Sequence, residues 1–475
     1  MSFKKINQFL FCALTAFPLT LWTACTVKHA DSEIAMPCED DSCEEKQQET
    51  QEYTLAEEEL MDNYYLLSVY YLAADEKLAD INFYYKHGKN AGFSPDYYEF
   101  PDVSYMYSQM GDNYTSYFSP YYAQMYDFDS TTDPIYNLSI SVENADSMLV
   151  VSQVYPGGPG DKAGLKAGDT ILFVGKNAPG DIDGFNKLTS GKEDDSLTLK
   201  ILRDADTLDI SATLFCYLTP TVFVNYLDSI PVITITEFED FSGVSCSDAK
   251  SATEYKGTML ELKNILKATK GAAVIDVRGN PGGSVEQCIS AAELFLSKGD
   301  TIAIFEIADV APDSIHQQIY TETVVATEEG PGKGRYFVFL ADTASASCSE
   351  MLLAGTTKNR DFPIVGSQTV GKGIGQYYSP TYAGGYSIIT AMRSFDKDGK
   401  SYHDKGFLPD YDISDPAKAL EKALEIAKGG KEKRTKGYGT ERLHHFDDPF
   451  AKTASANKKP LKGGAYRFKK NPRIK

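Results

Sequence analysis

Gly271-Ala272-Ala273-Val274-Ile275-Asp276-Val277 is a short, almost wholly apolar run, and Arg278-Gly279-Asn280-Pro281-Gly282-Gly283-Ser284 follows it directly. An apolar run of this length bounded by Gly and Pro reads as a strand buried on both faces. Residues 284–296 then read as a helix, so the unit is strand, glycine turn, helix. The pattern recurs. Residues 231–236 and 335–340 read as further buried strands, 255–269 as a helix, and Ala344-Ser345-Ala346-Ser347-Cys348-Ser349-Glu350 opens another. Strands alternating with helices across residues 217–428 predict an α/β layered core.

The glycine turn matches neither G-x-G-x-x-G nor a P-loop, so a nucleotide-binding reading has only weak support. A glycine turn at a strand's C-terminal end exposes backbone N–H groups instead. Gly282 and Gly283 are therefore candidate donors to an oxyanion.

Upstream, residues 135–216 are rich in short β runs, at 147–152, 170–174 and 196–202. Between the first two lies Pro159-Gly160-Asp161-Lys162-Ala163-Gly164-Leu165-Lys166-Ala167-Gly168-Asp169. This stretch resembles the PDZ domain, in which a short helix and a turn lead into a strand. The resemblance implies a domain that adds a peptide C-terminus as an extra strand. Tyr136-Asn137-Leu138-Ser139-Ile140 lacks the glycine usual in the carboxylate-binding loop. Residues 55–134 carry Leu60, Tyr64, Leu67 and Tyr71 at helical spacing and read as a small helical domain.

The ends differ from the middle. Lys4 and Lys5 precede an apolar run from Phe9 to Trp22, too short to span a bilayer comfortably, so residues 1–24 read as a secretory signal. Cleavage after Thr23-Ala24 leaves Cys25 first, which resembles a bacterial lipoprotein site, with Trp22 where an aliphatic residue is usual. Residues 25–54 are an acidic tether. The expected location is the cell envelope, as an outer-membrane lipoprotein held by its lipid alone. Residues 429–475 are basic and without apolar period, and read as a disordered tail.

The net charge of −20 over 475 residues argues against a nucleic-acid-binding surface. An apolar fraction of 42% is enough for packed cores. No CxxC or HExxH occurs, so a metal site lacks support, and no cofactor is implied. The six histidines are scattered and read as structural or surface groups. Cys216, Cys246, Cys288 and Cys348 are widely spaced and do not read as a disulfide framework, while Cys38 and Cys43 are close enough to bridge. A free thiol at Cys348 is expected to make the site sensitive to oxidation.

The chemistry lies in two segments. Ser347 followed by Glu350 fits a helix capping box. The start of a helix also offers unpaired N–H groups and a favourable dipole, which makes the Cys348 amide a natural oxyanion donor. Lys372 sits in Val370-Gly371-Lys372-Gly373, close to apolar Ile364 and Val365. Burial there would lower its pKa, as a lysine acting as general base requires. Gln376 follows four residues later and, on an extended strand, would share a face with Lys372 and orient it.

Taken singly, Ser347 is a helix cap and Lys372 a surface cation. Together, four ordered motifs resemble the C-terminal processing peptidases, or tail-specific proteases: residues 276–283, 345–350, 371–376 and Gly406-Phe407-Leu408-Pro409-Asp410. The family's nucleophile stands three residues before the Glu and 25 before the Lys, which selects Ser347 over Ser345 and Ser349. Asp112-Asn113-Tyr114-Thr115-Ser116-Tyr117 resembles a further family segment.

The resemblance implies an N-terminal helical domain, a PDZ domain and an α/β, ClpP/crotonase-like peptidase core. It also implies a serine endopeptidase acting on protein or peptide substrates, with Ser347 as nucleophile, Lys372 as base and Gln376 as orienter. The alternative is a non-catalytic ligand- or protein-binding member of the fold, favoured by loss of the Ser or Lys; both are present.

Overall fold

The computed structural model describes residues 53–95, 98–126, 136–145, 148–312, 315–430 and 432–439. The signal segment, Cys25, the acidic tether with Cys38 and Cys43, and residues 440–475 lie outside the described residues.

The core is a six-stranded sheet in the order Tyr411–Asp412, Ile364–Gly366, Phe337–Ala341, Ala273–Asp276, Ile230–Ile235, Val222–Leu227. All neighbours are parallel except the last pair. Strand alternation divides the apolar side chains between two layers. Ile275, Phe337 and Phe339 face a cluster with Phe295, Leu352 and Phe362. Val274, Val338 and Leu340 face Ala419, Ala423 and Ile426 of the helix Pro416–Gly429. Each large apolar side chain so buried stabilises the fold by about 2 kcal/mol. The two central strands are buried at every position, which is why they read as continuous apolar runs.

A second sheet contains Ser116–Phe118, Tyr386–Phe395, Thr301–Val310 and Gln317–Val325 in that order, with Ile374–Pro380 also paired to Tyr386–Phe395. Its first strand comes from the N-terminal segment. The helices Leu55–Tyr70 and Pro101–Ser108 pack their apolar faces into one cluster with Ile389, and Tyr70 stacks on Tyr377 at 3.8 Å between centroids. The helical segment therefore closes its core against the second sheet. Glu59, fully buried, ties them further by accepting from Thr381 Oγ1 at 2.5 Å and Ala383 N at 2.6 Å.

The predicted PDZ region folds as an antiparallel sheet of Ile140–Ala145, Met148–Val154, Thr170–Val174, Ser196–Arg203 and Asp206–Thr213, packed on the helix Ile182–Thr189. Gly168 makes the predicted turn with φ 93°. Asp169 holds it by accepting from Lys166 N at 2.8 Å and pairing with Arg203 at 2.7 Å.

Two expectations are corrected. The cysteines do pair: Cys216 with Cys246, and Cys288 with Cys348, with Cα atoms 5.4 and 5.5 Å apart. Wide spacing in sequence hid partners that the fold brings adjacent. The start of the basic tail is also ordered on the core. Arg434 is buried against Asp410 at 3.2 Å, and Tyr438 packs against both Tyr402 and Phe407. A buried carboxylate needs a partner, and the tail supplies it.

Candidate active site

Both halves of the candidate nucleophile region lie beyond the carboxyl ends of adjacent parallel strands, Ala273–Asp276 and Phe337–Ala341. Asp342 knits them by accepting from Gly279 N at 3.0 Å and from Ala344 N at 3.0 Å. Asn280, with no exposed surface, does the same from the other side. Its Oδ1 accepts from Gly282 N at 2.8 Å, its Nδ2 donates to Ile235 O at 2.9 Å, and its carbonyl accepts from Ala346 N at 3.0 Å.

The three serines have different fates. Ser345 Oγ donates to Val277 O at 2.8 Å and Ser349 Oγ to Asn280 O at 3.0 Å, and both residues are fully buried. Ser347, in contrast, is only half-buried. Its backbone sits at φ 54°, ψ −113°, a conformation few non-glycine residues adopt. The helix Cys348–Arg360 starts at the next residue, so the Cys348 amide is one of the unpaired helix-end donors.

Glycine is required opposite. A β-carbon on Gly282, at φ 114°, would stand 2.8 Å from Ser347 Cβ and 3.1 Å from its Oγ. One on Gly283 would stand 2.1 Å from Phe238 O. The turn narrows the expected pair of glycine donors, because the Gly282 amide is already given to Asn280. No acceptor for the Gly283 amide is found among the described residues, which leaves it as the candidate glycine donor. Cys348 Sγ is bonded to Cys288, so the expected free thiol beside the nucleophile is absent. The bridge joins the helix after the glycine turn, Val285–Glu293, to the nucleophile helix.

Glu350 does more than the predicted capping. Fully buried, its carboxylate accepts from Ser347 N at 3.0 Å and Lys372 N at 2.7 Å on one oxygen. On the other it accepts from Gly371 N at 2.6 Å and Thr369 Oγ1 at 2.5 Å. Burial pushes its carboxyl up to about 7, and these donors hold it back from rising further. The three amides can only donate, so the arrangement favours the carboxylate. Thr369 Oγ1 also accepts from Phe407 N at 2.8 Å, which seats the Gly406–Asp410 segment behind the lysine loop.

Lys372 is 7% exposed. Burial pushes its amine down to about 8, with Glu350 and Asp112 opposing. Its Nζ lies 5.4 Å from the centroid of the Tyr114 ring. Gln376 lies on the strand Ile374–Pro380, paired with Thr390, but a register shift between Gly375 and Gln376 breaks the strict alternation expected from Lys372. Its Nε2 is buried without a partner.

His403, read from sequence as structural or surface, lies beside this cluster: its ring is 6.1 Å from that of Tyr114 and its Nδ1 is buried without a partner. Sequence reasoning assigned no role to Asn280, Thr369, Tyr114 or His403. Asp112–Thr115 and the S-x-x-E pattern were the signals available for two of these connections. Among the described residues, no group of three or more His, Cys, Asp or Glu is placed to hold a metal ion.

The sequence has counterparts among known proteins. Residues 229–413 match the model for peptidase family S41, and residues 150–203 that for the PDZ domain. A probable CtpA-like serine protease of Staphylococcus haemolyticus is 27% identical over 70% of this chain and 63% of its own length. The carboxy-terminal processing protease CtpA of Bacillus subtilis is 26% identical over 70% of this chain and 68% of its own. The chain thus spans slightly under two thirds of the first relative and slightly over two thirds of the second. Among solved structures, a putative S41 protease from Bacteroides fragilis superposes with a TM-score of 0.51 at 14% identity, over 80% of this chain and 100% of that one. That likeness speaks for the fold alone. Residues 229–413 are thus similar to peptidase family S41, with a stretch similar to the PDZ domain ahead of them.

Proposed function

We propose that this protein is a serine-type carboxy-terminal processing peptidase that cleaves unfolded or C-terminally exposed proteins through an acyl-enzyme on Ser347. The observation that carries the reading is the single Glu350 oxygen that accepts from both Ser347 N and Lys372 N. One buried carboxylate thereby ties together the backbones of the strained serine and the desolvated lysine, which supports their acting as a pair.

In the proposed reaction, neutral Lys372 takes the hydroxyl proton as Ser347 Oγ attacks the scissile carbonyl carbon. The amides of Cys348 and Gly283 receive the resulting oxyanion. The lysine ammonium then protonates the departing amine, leaving the acyl-enzyme. Water attacks the ester, giving a proton to Lys372, and the resulting ammonium returns that proton to Ser347 Oγ as the new C-terminus leaves, restoring the hydroxyl and the neutral amine. Gln376 holds the amine in line.

The PDZ domain delivers the substrate end. Ile140–Ala145 is the edge strand of its sheet and offers a side along which a peptide strand can add. The sequence pattern of residues 1–24 and Cys25 supports a location in the cell envelope on a lipid anchor.

Ser347→Ala and Lys372→Ala are expected each to lower casein cleavage by about 10⁴-fold or more while the melting temperature is kept. Cleavage surviving in either folded variant would refute the assignment and favour a binding protein of the same fold.

A further inference from the structure

We infer that Tyr114 is a positioning residue for Lys372: its ring roofs the amine and keeps water from it, so the N-terminal segment completes the active site. The inference rests on the proposed role of Lys372 as base.

The roof is built, not incidental. Asp112 accepts from Tyr114 N at 2.6 Å, Thr115 N at 3.1 Å and Thr115 Oγ1 at 2.7 Å, which fixes the turn that carries the ring. Thr115, buried, then accepts from Thr390 N at 3.0 Å. Thr390 is the register partner of Gln376, on the strand that follows Lys372. Tyr71 secures the approach by donating its hydroxyl to Met110 O at 3.1 Å. The turn is thus pinned to the strand pair beside the lysine, and its half-buried ring reaches to 5.4 Å from Nζ.

Several charged or titratable groups face this amine. Glu350 on the nucleophile helix and Asp112 on the turn both favour the ammonium. His403 lies across the Tyr114 ring, with Asp404 at 3.6 Å from its Nε2 and Arg393 acting on it from the second sheet.

The ring has two opposed effects. Its π face attracts a cation, an effect worth about tenfold in the protonation balance. Its bulk excludes water, and burial of a lysine moves its titration by as much as about 3–5 pH units. Exclusion wins, so removing the ring should restore the proton.

The test uses the full chain with Tyr114→Ala, Tyr114→Phe and the milder Tyr114→Leu, each checked by thermal melting. Acetylation of Lys372 by acetic anhydride across pH, read by mass spectrometry, reports its titration without any need for activity. The dependence of kcat and KM on pH is measured beside it with a quenched peptide. Tyr114→Ala should move the Lys372 midpoint up by about one pH unit, and kcat at pH 7 should fall about tenfold with KM little changed. Tyr114→Phe should leave both in place. Tyr114→Leu should shift the midpoint in the same direction by less, and it carries the test should the alanine variant unfold.

An unmoved midpoint in the folded Ala variant, or in Leu where Ala unfolds, overturns the inference. So does an equal shift in Phe, or a loss of kcat without a shift. If the wild type cleaves nothing, the proposed function falls while the labelling still decides the roof. If Ser347→Ala abolishes cleavage but Tyr114→Ala titrates like wild type, only the roof falls.

Discussion

The serine side and the lysine side of the site are built by opposite means. Ser347 belongs to a strand–turn–helix unit, and its immediate surroundings come from its own helix and from the neighbouring strand–turn unit with Asn280 and Gly282. Lys372 precedes a strand of the second sheet, and its surroundings come from three remote segments: Glu350 on the nucleophile helix, Tyr114 on the N-terminal turn, and the Tyr402–Phe407 loop. The nucleophile's geometry is a property of backbone conformation. The lysine's protonation is a property of what covers it. Damage on the first side should appear as lost transition-state stabilisation, and damage on the second as a changed pH dependence.

Beyond removal of Ser347 or Lys372 themselves, the largest effect should come from Gly282→Ala. The added carbon meets Ser347 Cβ at 2.8 Å on a backbone held at φ 114°. It should displace the serine from the oxyanion donors and cost about 10²–10³-fold in kcat, with little change in KM. If kcat stays near wild type, the close approach of the two walls is not needed, and the contrast between the sides breaks.

A smaller, graded effect should come from pH. Burial pushes the Lys372 amine down to about 8, and in the proposed reaction it must be neutral to accept the serine proton. Below that value kcat/KM should fall about tenfold per pH unit, and above it the profile should level off. The serine hydroxyl adds no limb in this range. A profile flat from pH 6 to 9 would show that the lysine side does not set the rate.

The smallest effect on activity should come from the Cys288–Cys348 bridge. It staples the two helices of the serine side and leaves the lysine side untouched. Replacing both cysteines with Ala should lower stability by about 2–4 kcal/mol in denaturant unfolding, with kcat changed far less than by Gly282→Ala. A change in the acid limb of the pH profile in that variant would show that the two sides are coupled.

What could be read in advance follows the same division. The parallel strands were legible because strands buried on both faces must be continuously apolar, as at 273–276 and 337–341. Spacing from Glu350 and Lys372 singled out Ser347 as the candidate, and in the fold the two neighbouring serines give their hydroxyls to Val277 and Asn280. The disulfide partners were not legible, because pairing depends on two helices meeting 60 residues apart in the chain. Nor was the ordered start of the tail, since Arg434 reads as one more basic residue until Asp410 is seen buried beneath it. Asp112–Thr115 was noticed as a pattern, but only its docking on Thr390 places a ring over Lys372.

By itself, the amino-acid sequence determined the order of domains, the alternation of strands and helices, and the residue types available for chemistry. These depend on local propensity and on apolar period, which are written along the chain. The tertiary structure alone decided which glycine amide stays free, which cysteines join, and what keeps water from Lys372. Those depend on distances between segments remote in sequence, and both the desolvation of an amine and the satisfaction of a buried carboxylate are set by whatever the fold brings within a few ångströms.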